Sequence, residues 1–306
     1  MIDDNTTYTH SRSDNTRRPC EAMRPCQTLK LVKIRHPFRA AGLFVAAFAM
    51  STILLVHHCG SPLDSSTMPA EGGVKNNSLV LTFSLYGDSA RYTDGALANA
   101  RLYKWIYPSW KMRVYHDDAV PVKILDELAS FSVELINMSS STLNPMNWRF
   151  MAASDRTTHA FCSRDIDSRL TVREQSAVSE WLLSDHSVHM IRDHPGHIHH
   201  PLMGGMWCAK HNAVPQMQKL IYGYSRAAHF NADQEFLRDV VWPLVKDNIL
   251  QHGTFGCEIW PELKPIPAPR VGLEHVGAVY IDHMLREEDS RILEKAIKHG
   301  EECPQS

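Results

Sequence analysis

Asp165 and Asp167 stand two residues apart in the stretch Phe161-Cys162-Ser163-Arg164-Asp165-Ile166-Asp167-Ser168-Arg169, just after a short apolar run. Where a strand ends the chain turns, so both carboxylates can reach one cation. Hard oxygen ligands of this kind suit Mg2+ or Mn2+, which bind through one or two carboxylates together with substrate phosphates. The chemistry implied is a metal that grips the diphosphate of an activated donor. Asp-x-Asp is also common in solvated loops, so its weight depends on where the fold places it.

Other groups compete for attention. Six histidines (His186, His189, His194, His197, His199 and His200) fall within fifteen residues and invite a zinc site. They lack the H-E-x-x-H spacing, and Pro195, Gly196 and Pro201 exclude a shared helix face. A polar loop whose imidazoles hydrogen-bond or face water is therefore expected. Arg192-Asp193-His194, directly after the apolar run Val188 to Ile191, stands apart from that loop. Gly204-Gly205 either lets backbone approach a ligand closely or makes a tight turn. Asp233 is the first-turn carboxylate of a helical pattern, where capping alone would account for it.

The elements that must position these groups alternate. Strands are predicted at Leu79 to Leu85, Met112 to Tyr115, Val133 to Ile136, Thr158 to Cys162, Val188 to Ile191 and Ala278 to Ile281. Helices are predicted from Asp94 to Tyr107, from Pro121 to about Ala129, over Asn147 to Ala153, from the capping box Thr171-Val172-Arg173-Glu174 to Ser184, over Pro215 to Tyr222 and from Asn231 onward. From His252 the chain reads as loop, and from Arg286 as an exposed charged helix. A strand and a helix every 20 to 25 residues is the rhythm of a mostly parallel α/β sheet with helices on both faces. Ligands of such sheets sit outside the carboxyl ends of the strands, which is where Asp165 and Asp167 fall.

The N-terminal region differs from the rest. Residues 1–39 carry eight Lys/Arg, and the uncharged run Ala40 to Val56 is about long enough to span a bilayer. The basic excess before it places the N-terminus in the cytosol. The expected map is a cytosolic tail (1–39), a transmembrane anchor (40–57), a Ser/Gly/Pro-rich stalk (58–76), a catalytic domain (77–285) and a charged C-terminal tail (286–306). That makes a single-pass type II protein of the Golgi or endoplasmic reticulum membrane with its bulk in the lumen. The five cysteines after the anchor would then be free to form disulfides, with no pairing readable, and Asn76 and Asn137 would be glycosylation sites. A net charge of -2 gives no argument for a nucleic-acid partner.

Trp148-Arg149-Phe150, Ser163 to Arg169, Arg173-Glu174, Trp181-Leu182, Arg192-Asp193-His194-Pro195, Gly204-Gly205-Met206-Trp207, Asp233-Gln234-Glu235-Phe236-Leu237 and Val241-Trp242-Pro243 form an ordered set. Over roughly Leu79 to Tyr280 this set resembles a family of glycosyltransferases found near capsular and surface polysaccharide synthesis, of the glycosyltransferase-A fold. The resemblance implies a nucleotide-sugar donor, Mn2+ or Mg2+, and a glycan, lipid or protein acceptor. More distantly the chain is similar to nucleotide-sugar transferases whose Asp-Gln pair lies beside the donor sugar. By that analogy Asp233 and Gln234 line the sugar pocket and Gly204 and Gly205 form its floor. Relatives often add a late histidine to the metal, and His252, His275 or neither fills that place. They also carry an acidic residue after the histidine matching His252, where this chain has Gly253.

The residue roles expected are these. Asp167 binds the metal, and Asp165 the metal or the donor ribose. Arg149 and Arg164 contact donor phosphates, for which a guanidinium is well shaped. If the reaction inverts, Asp193 or Asp233 serves as general base. Two other classes fit less of the pattern: a lumenal metal-dependent hydrolase using the histidines with Asp165 and Asp193, and a non-catalytic carbohydrate-binding module.

Overall fold

The computed structural model describes residues 78–224 and 231–304. The expected tail, anchor and stalk, with Asn76 and Cys59, lie outside the described residues. Among the described residues no helix is long and apolar enough to cross a membrane.

Seven strands form the central sheet: β1 (Ser78–Leu85), β2 (Trp110–His116), β3 (Glu134–Asn137), β4 (Thr158–Arg164), β5 (Val188–Arg192), β6 (Met206–Lys210) and β7 (Ile249–Gly253). Their spatial order is β3-β2-β1-β4-β6-β5-β7. All pairings are parallel except those of β6, which runs antiparallel to β4 and β5. The mostly parallel α/β expectation therefore holds, with one reversed strand inserted. β6 and β7 were not expected as strands. Each is five residues long, and β6 follows directly on the glycine pair that read as a turn. A small hairpin, β8 (Tyr280–Ile281) with β9 (Met284–Leu285), replaces the last expected strand.

β1 is buried along nearly its whole length because it lies between β2 and β4, and a central parallel strand needs apolar side chains on both faces. From β1 the sheet grows in one direction through β2 and β3, then resumes on the other side with β4. The carboxyl ends of β1 and β4 flank that reversal, the place where open α/β sheets hold ligands.

α1 (Ala90–Ile106) begins four residues earlier than the sequence suggested, so Asp94 lies inside the helix. The helix holds the loop after β4. The Asn99 side-chain amide donates to the carbonyls of Ile166 and Ser168 at 3.2 and 2.8 Å and accepts from the Leu170 amide at 3.1 Å. A Cβ at Gly95 would overlap the Ile166 carbonyl, so glycine is required for this approach. α2 (Val122–Ser130) follows Pro121 as expected. The segment expected to be helical at Asn147 to Ala153 is a 3₁₀ helix, Pro145–Ser154, capped by Asn144.

In α3 (Val172–Leu183) Thr171 Oγ1 caps the Glu174 amide at 3.1 Å, as the capping box requires. The Glu174 carboxylate does not return the bond and instead binds Arg164. The remaining helices are α4 (Met217–Gly223), α5 (Ala232–Phe236), continued by a π turn over Leu237–Val241, α6 (Trp242–Val245) and α7 (Glu287–Lys298). α7 is not a free tail. Leu293 and Ala296 are buried against Phe255, and Cys303 beyond it is bonded to Cys257. A second disulfide, Cys162–Cys208, joins β4 to β6.

Candidate active site

A cleft of about 260 Å³ opens beyond the carboxyl ends of β1 and β4, and Asp165, Asp167, Asp233, Arg91 and Arg149 all line it. Asp165 and Asp167 come from the loop after β4. That loop closes on itself through Ser168, whose amide and hydroxyl both donate to the Asp165 carbonyl, at 3.2 and 2.8 Å. It is held from outside by α1 and by the Tyr280 amide, which donates to the Asp167 carbonyl at 3.0 Å. Asp233 comes from the first turn of α5, and Arg149 from the 3₁₀ helix.

Arg149 is buried and bridges two acids: one nitrogen bonds Asp165 and the other bonds Asp233 at 2.8 Å. Burial alone would lower the Arg149 pKa, but the charges of Asp165 and Asp233 raise it and keep it protonated. Its Nε has no partner. Arg91, in the first turn of α1, bonds Asp167 through Nε at 2.9 Å and Nη2 at 2.5 Å. Burial, then the charge of Asp165, raise the Asp167 pKa, with Arg91 opposing. Burial also raises Asp233, against the pull of Arg149 and with a further push from Asp165. Three acids thus crowd one cleft, and two guanidinium groups keep them compact.

Gly204 and Gly205 adjoin this cluster, though they serve the acids rather than leaving a bare floor. A Cβ at Gly205 would collide with the Asp165 carboxylate, and one at Gly204 would come within 3.0 Å of Arg149, Asp233 and Gln234. Gln234 lines the cleft, and its side-chain oxygen accepts from the Gly204 amide at 3.4 Å.

Three expected site residues lie elsewhere. Arg164 turns away from the cleft and is wholly buried, pairing with Glu174 at 2.7 Å and donating to the Ser163 and Trp207 carbonyls. Side chains alternate along a strand, so Arg164, adjacent to Asp165, faces the sheet's packed side. Asp193 is also fully buried and takes five hydrogen bonds. Arg173 donates twice at 2.8 Å, and Arg270, Thr254 Oγ1 and the Val276 amide donate at 2.8, 2.7 and 3.0 Å. Burial would raise its pKa, but Arg173 and Arg270 hold it well below the usual carboxylate range. It does not line the cleft. His252, on β7, bonds His189 at 2.8 Å and Glu180 at 3.2 Å and does not line the cleft. Gly253 is explained by packing: a Cβ there would meet the Arg192 carbonyl and the Leu263 side chain.

Sequence reasoning missed Arg91. A cation in a helix's first turn opposes the helix dipole, and that misfit was the available signal. It also missed the meeting of His194, His197 and His275. These are buried together, with one ring nitrogen of each within 4.8 Å of the others, and they do not line the cleft.

No family model matches the chain, and no curated protein does. Among solved structures, the chain is similar to glucosyl-3-phosphoglycerate synthase from Mycobacterium tuberculosis. In its complex with Mg2+ and uridine diphosphate the identity is 12% and the TM-score 0.40, covering 58% of this chain and 69% of that one. In its complex with Mn2+, UDP-glucose and glycerol 3-phosphate the identity is 12% and the TM-score 0.39, covering 62% and 76%.

Proposed function

We propose that this chain is a metal-dependent glycosyltransferase that moves a sugar from a nucleotide-sugar donor to a glycan, lipid or protein acceptor. The observation that carries the reading is the convergence of Asp165, Asp167 and Asp233 on one cleft at the sheet's reversal point. The donor set fits Mn2+ or Mg2+: two neighbouring carboxylates of hard oxygen, close enough that one raises the other's pKa, each now matched by a guanidinium. Asp165 and Asp167 would hold the metal, which supplies positive charge to the diphosphate as the sugar–phosphate bond breaks.

The chain's own groups supply the rest. Arg91 and Arg149 face the same cleft and, released from the acids, are shaped to take phosphate oxygens in bidentate fashion. Gln234 offers an amide to sugar hydroxyls. Asp233, buried and raised in pKa, is placed to accept an acceptor proton if the reaction inverts. Asp193 and His252 have no part in it. The hydrolase reading loses its support because Asp193 is held by two arginines and the buried histidines do not line the cleft.

The location belongs to the same proposal: an anchor over residues 40–57, a stalk over 58–76, and a lumenal catalytic domain in the Golgi or endoplasmic reticulum. Two disulfides among the described cysteines and the exposed sequon at Asn137 support an oxidising, glycosylating compartment. The functional test is a thermal-shift panel of nucleotide sugars with and without Mn2+. One donor should raise the unfolding temperature only when Mn2+ is present, by the equivalent of about 2.7 kcal/mol at a hundredfold excess over its dissociation constant. Stabilisation by none of them, with the protein folded, contradicts the reading. Donor binding without transfer to any acceptor would mark a binding module instead.

A further inference from the structure

His194 and His197 flank a short turn at the end of β5, and His275 reaches them from the segment that leads into β8. The His194 and His275 rings stack at 4.5 Å, and His197 lies 5.5 and 5.7 Å from them by ring centroids. All three are buried. Burial leads each of them to a pKa below the ordinary imidazole value, and His275 is lowered to about 4, so they are neutral at physiological pH. Three neutral imidazoles have little reason to gather in a core unless each nitrogen has a partner.

Their hydrogen bonds fill that requirement at His194 but not at His275. His194 Nδ1 accepts from the Gly196 amide at 3.0 Å, and its Nε2 lies 3.1 Å from the Asp289 carbonyl on α7. His197 Nδ1 takes only a long bond, 3.3 Å, from the Asp193 amide. His275 Nδ1 is buried with no partner. One nitrogen of each ring lies within 4.8 Å of the other two. Tetrahedral zinc with nitrogen at about 2.0–2.1 Å sets its ligand nitrogens about 3.3 Å apart, so the turn and the segment would contract and one His194 nitrogen would exchange its present partner for the metal.

We propose that His194, His197 and His275 form a zinc site, separate from the Asp165/Asp167 cleft, that clamps the C-terminal segment to the end of β5. Zinc rather than Mg2+ or Mn2+ follows from the ligands, since imidazole nitrogen suits zinc and carboxylate oxygen suits the harder ions. Three imidazoles leave one coordination position for water or a further protein group. The clamp is mechanical in effect. The segment after His275 lays the Val276 amide on Asp193 and the Tyr280 amide on the Asp167 carbonyl, and Val279 lines the cleft between those two bonds. Zinc therefore fixes one wall of the donor cleft without touching donor.

The test uses the tag-free full chain, stripped with a chelator and titrated with Zn2+ against a chromophoric competitor. Co2+ in place of Zn2+ then reports geometry through its visible absorption. The expected result is one zinc per chain, a tetrahedral Co2+ spectrum and a higher unfolding temperature with zinc. Asp167→Ala, and a double variant His199→Ala/His200→Ala that removes two exposed imidazoles, should leave all three unchanged. His275→Gln and His197→Gln should each weaken zinc uptake at least a hundredfold. If a histidine variant does not fold, the parent's Co2+ spectrum decides. An octahedral spectrum, no zinc beyond what Asp167→Ala removes, or undiminished uptake by a folded His275→Gln would overturn the proposal.

Discussion

Two arginine–aspartate clusters, built from the same residue types, behave in opposite ways. Around Asp193 the carboxylate is inaccessible to solvent and every lone pair has a donor, so Arg173, Arg270, Thr254 and Val276 leave no vacancy for a ligand. Around Asp165, Asp167 and Asp233 there are three acids for two guanidinium groups, and a cleft stands in front of them. The first cluster ties β5, α3 and the C-terminal segment together. The second holds unbalanced negative charge where a cation can reach it. What separates the enclosed aspartate from the open ones is the count of donors and the open volume, neither of which residue type reveals.

The largest effect should come from disturbing the closed cluster. Asp193→Ala removes the carboxylate shared by Arg173 and Arg270, leaving Arg270 only the half-exposed Glu302 and Arg173 no acid, and breaking such a pair costs about 3–5 kcal/mol. Urea unfolding of the variant should show a loss of that order, or the chain should fail to accumulate. Asp165→Asn, with the parent side chain 43% exposed, should change stability by less than about 1 kcal/mol. Equal losses in the two variants would erase the distinction.

Next in size is the glycine that lets the acids close up. Gly205→Ala places a Cβ on the Asp165 carboxylate, which must swing out of line with Asp167. Mn2+ affinity, followed by calorimetry, should fall about tenfold or more, equivalent to about 1.4 kcal/mol, with the fold retained. Affinity equal to the parent's would mean that Asp165 is not a ligand.

The smallest effect is a difference in sign with pH. Asp193 is lowered from 3.8, so in the native state it binds fewer protons than in the unfolded chain. Its contribution is complete above about pH 4 and is lost as pH falls. Asp167 is raised from 3.8, so the native state binds more protons between that value and its folded pKa. Its relative contribution therefore declines as pH rises through that window. Urea midpoints should thus show the parent gaining on a folded Asp193→Asn variant as pH rises toward about 4, and losing ground to Asp167→Asn as pH rises above that value. Slopes of the same sign would show that the two carboxylates share one environment.

Much of this was legible in the sequence. The β–α alternation located β1 to β5, and the Asp-x-Asp at a strand end marked the loop that does face the cleft. Gly204, Gly205, Asp233, Gln234 and Arg149 also gathered there. The misses have physical causes. β6 follows a glycine pair that reads as a turn and is recruited by tertiary pairing with β4 and β5, and β7 runs into the stretch that reads as loop from His252. Arg164 and Asp193 sit beside the right motifs, but only the strand's alternation and the placement of Arg270, 77 residues away from Asp193, decide which way they turn. His275 meets His194 across a gap no spacing rule covers.

The central claim is that Asp165 and Asp167 together seat a divalent cation that holds a nucleotide diphosphate. Calorimetric titration of uridine diphosphate and the other nucleoside diphosphates into the parent and into Asp167→Asn, each with Mn2+ and with chelator, tests it directly. The account predicts metal-dependent binding by the parent and none measurable by the variant at an unchanged unfolding temperature. Metal-dependent binding of equal strength in both proteins would contradict it.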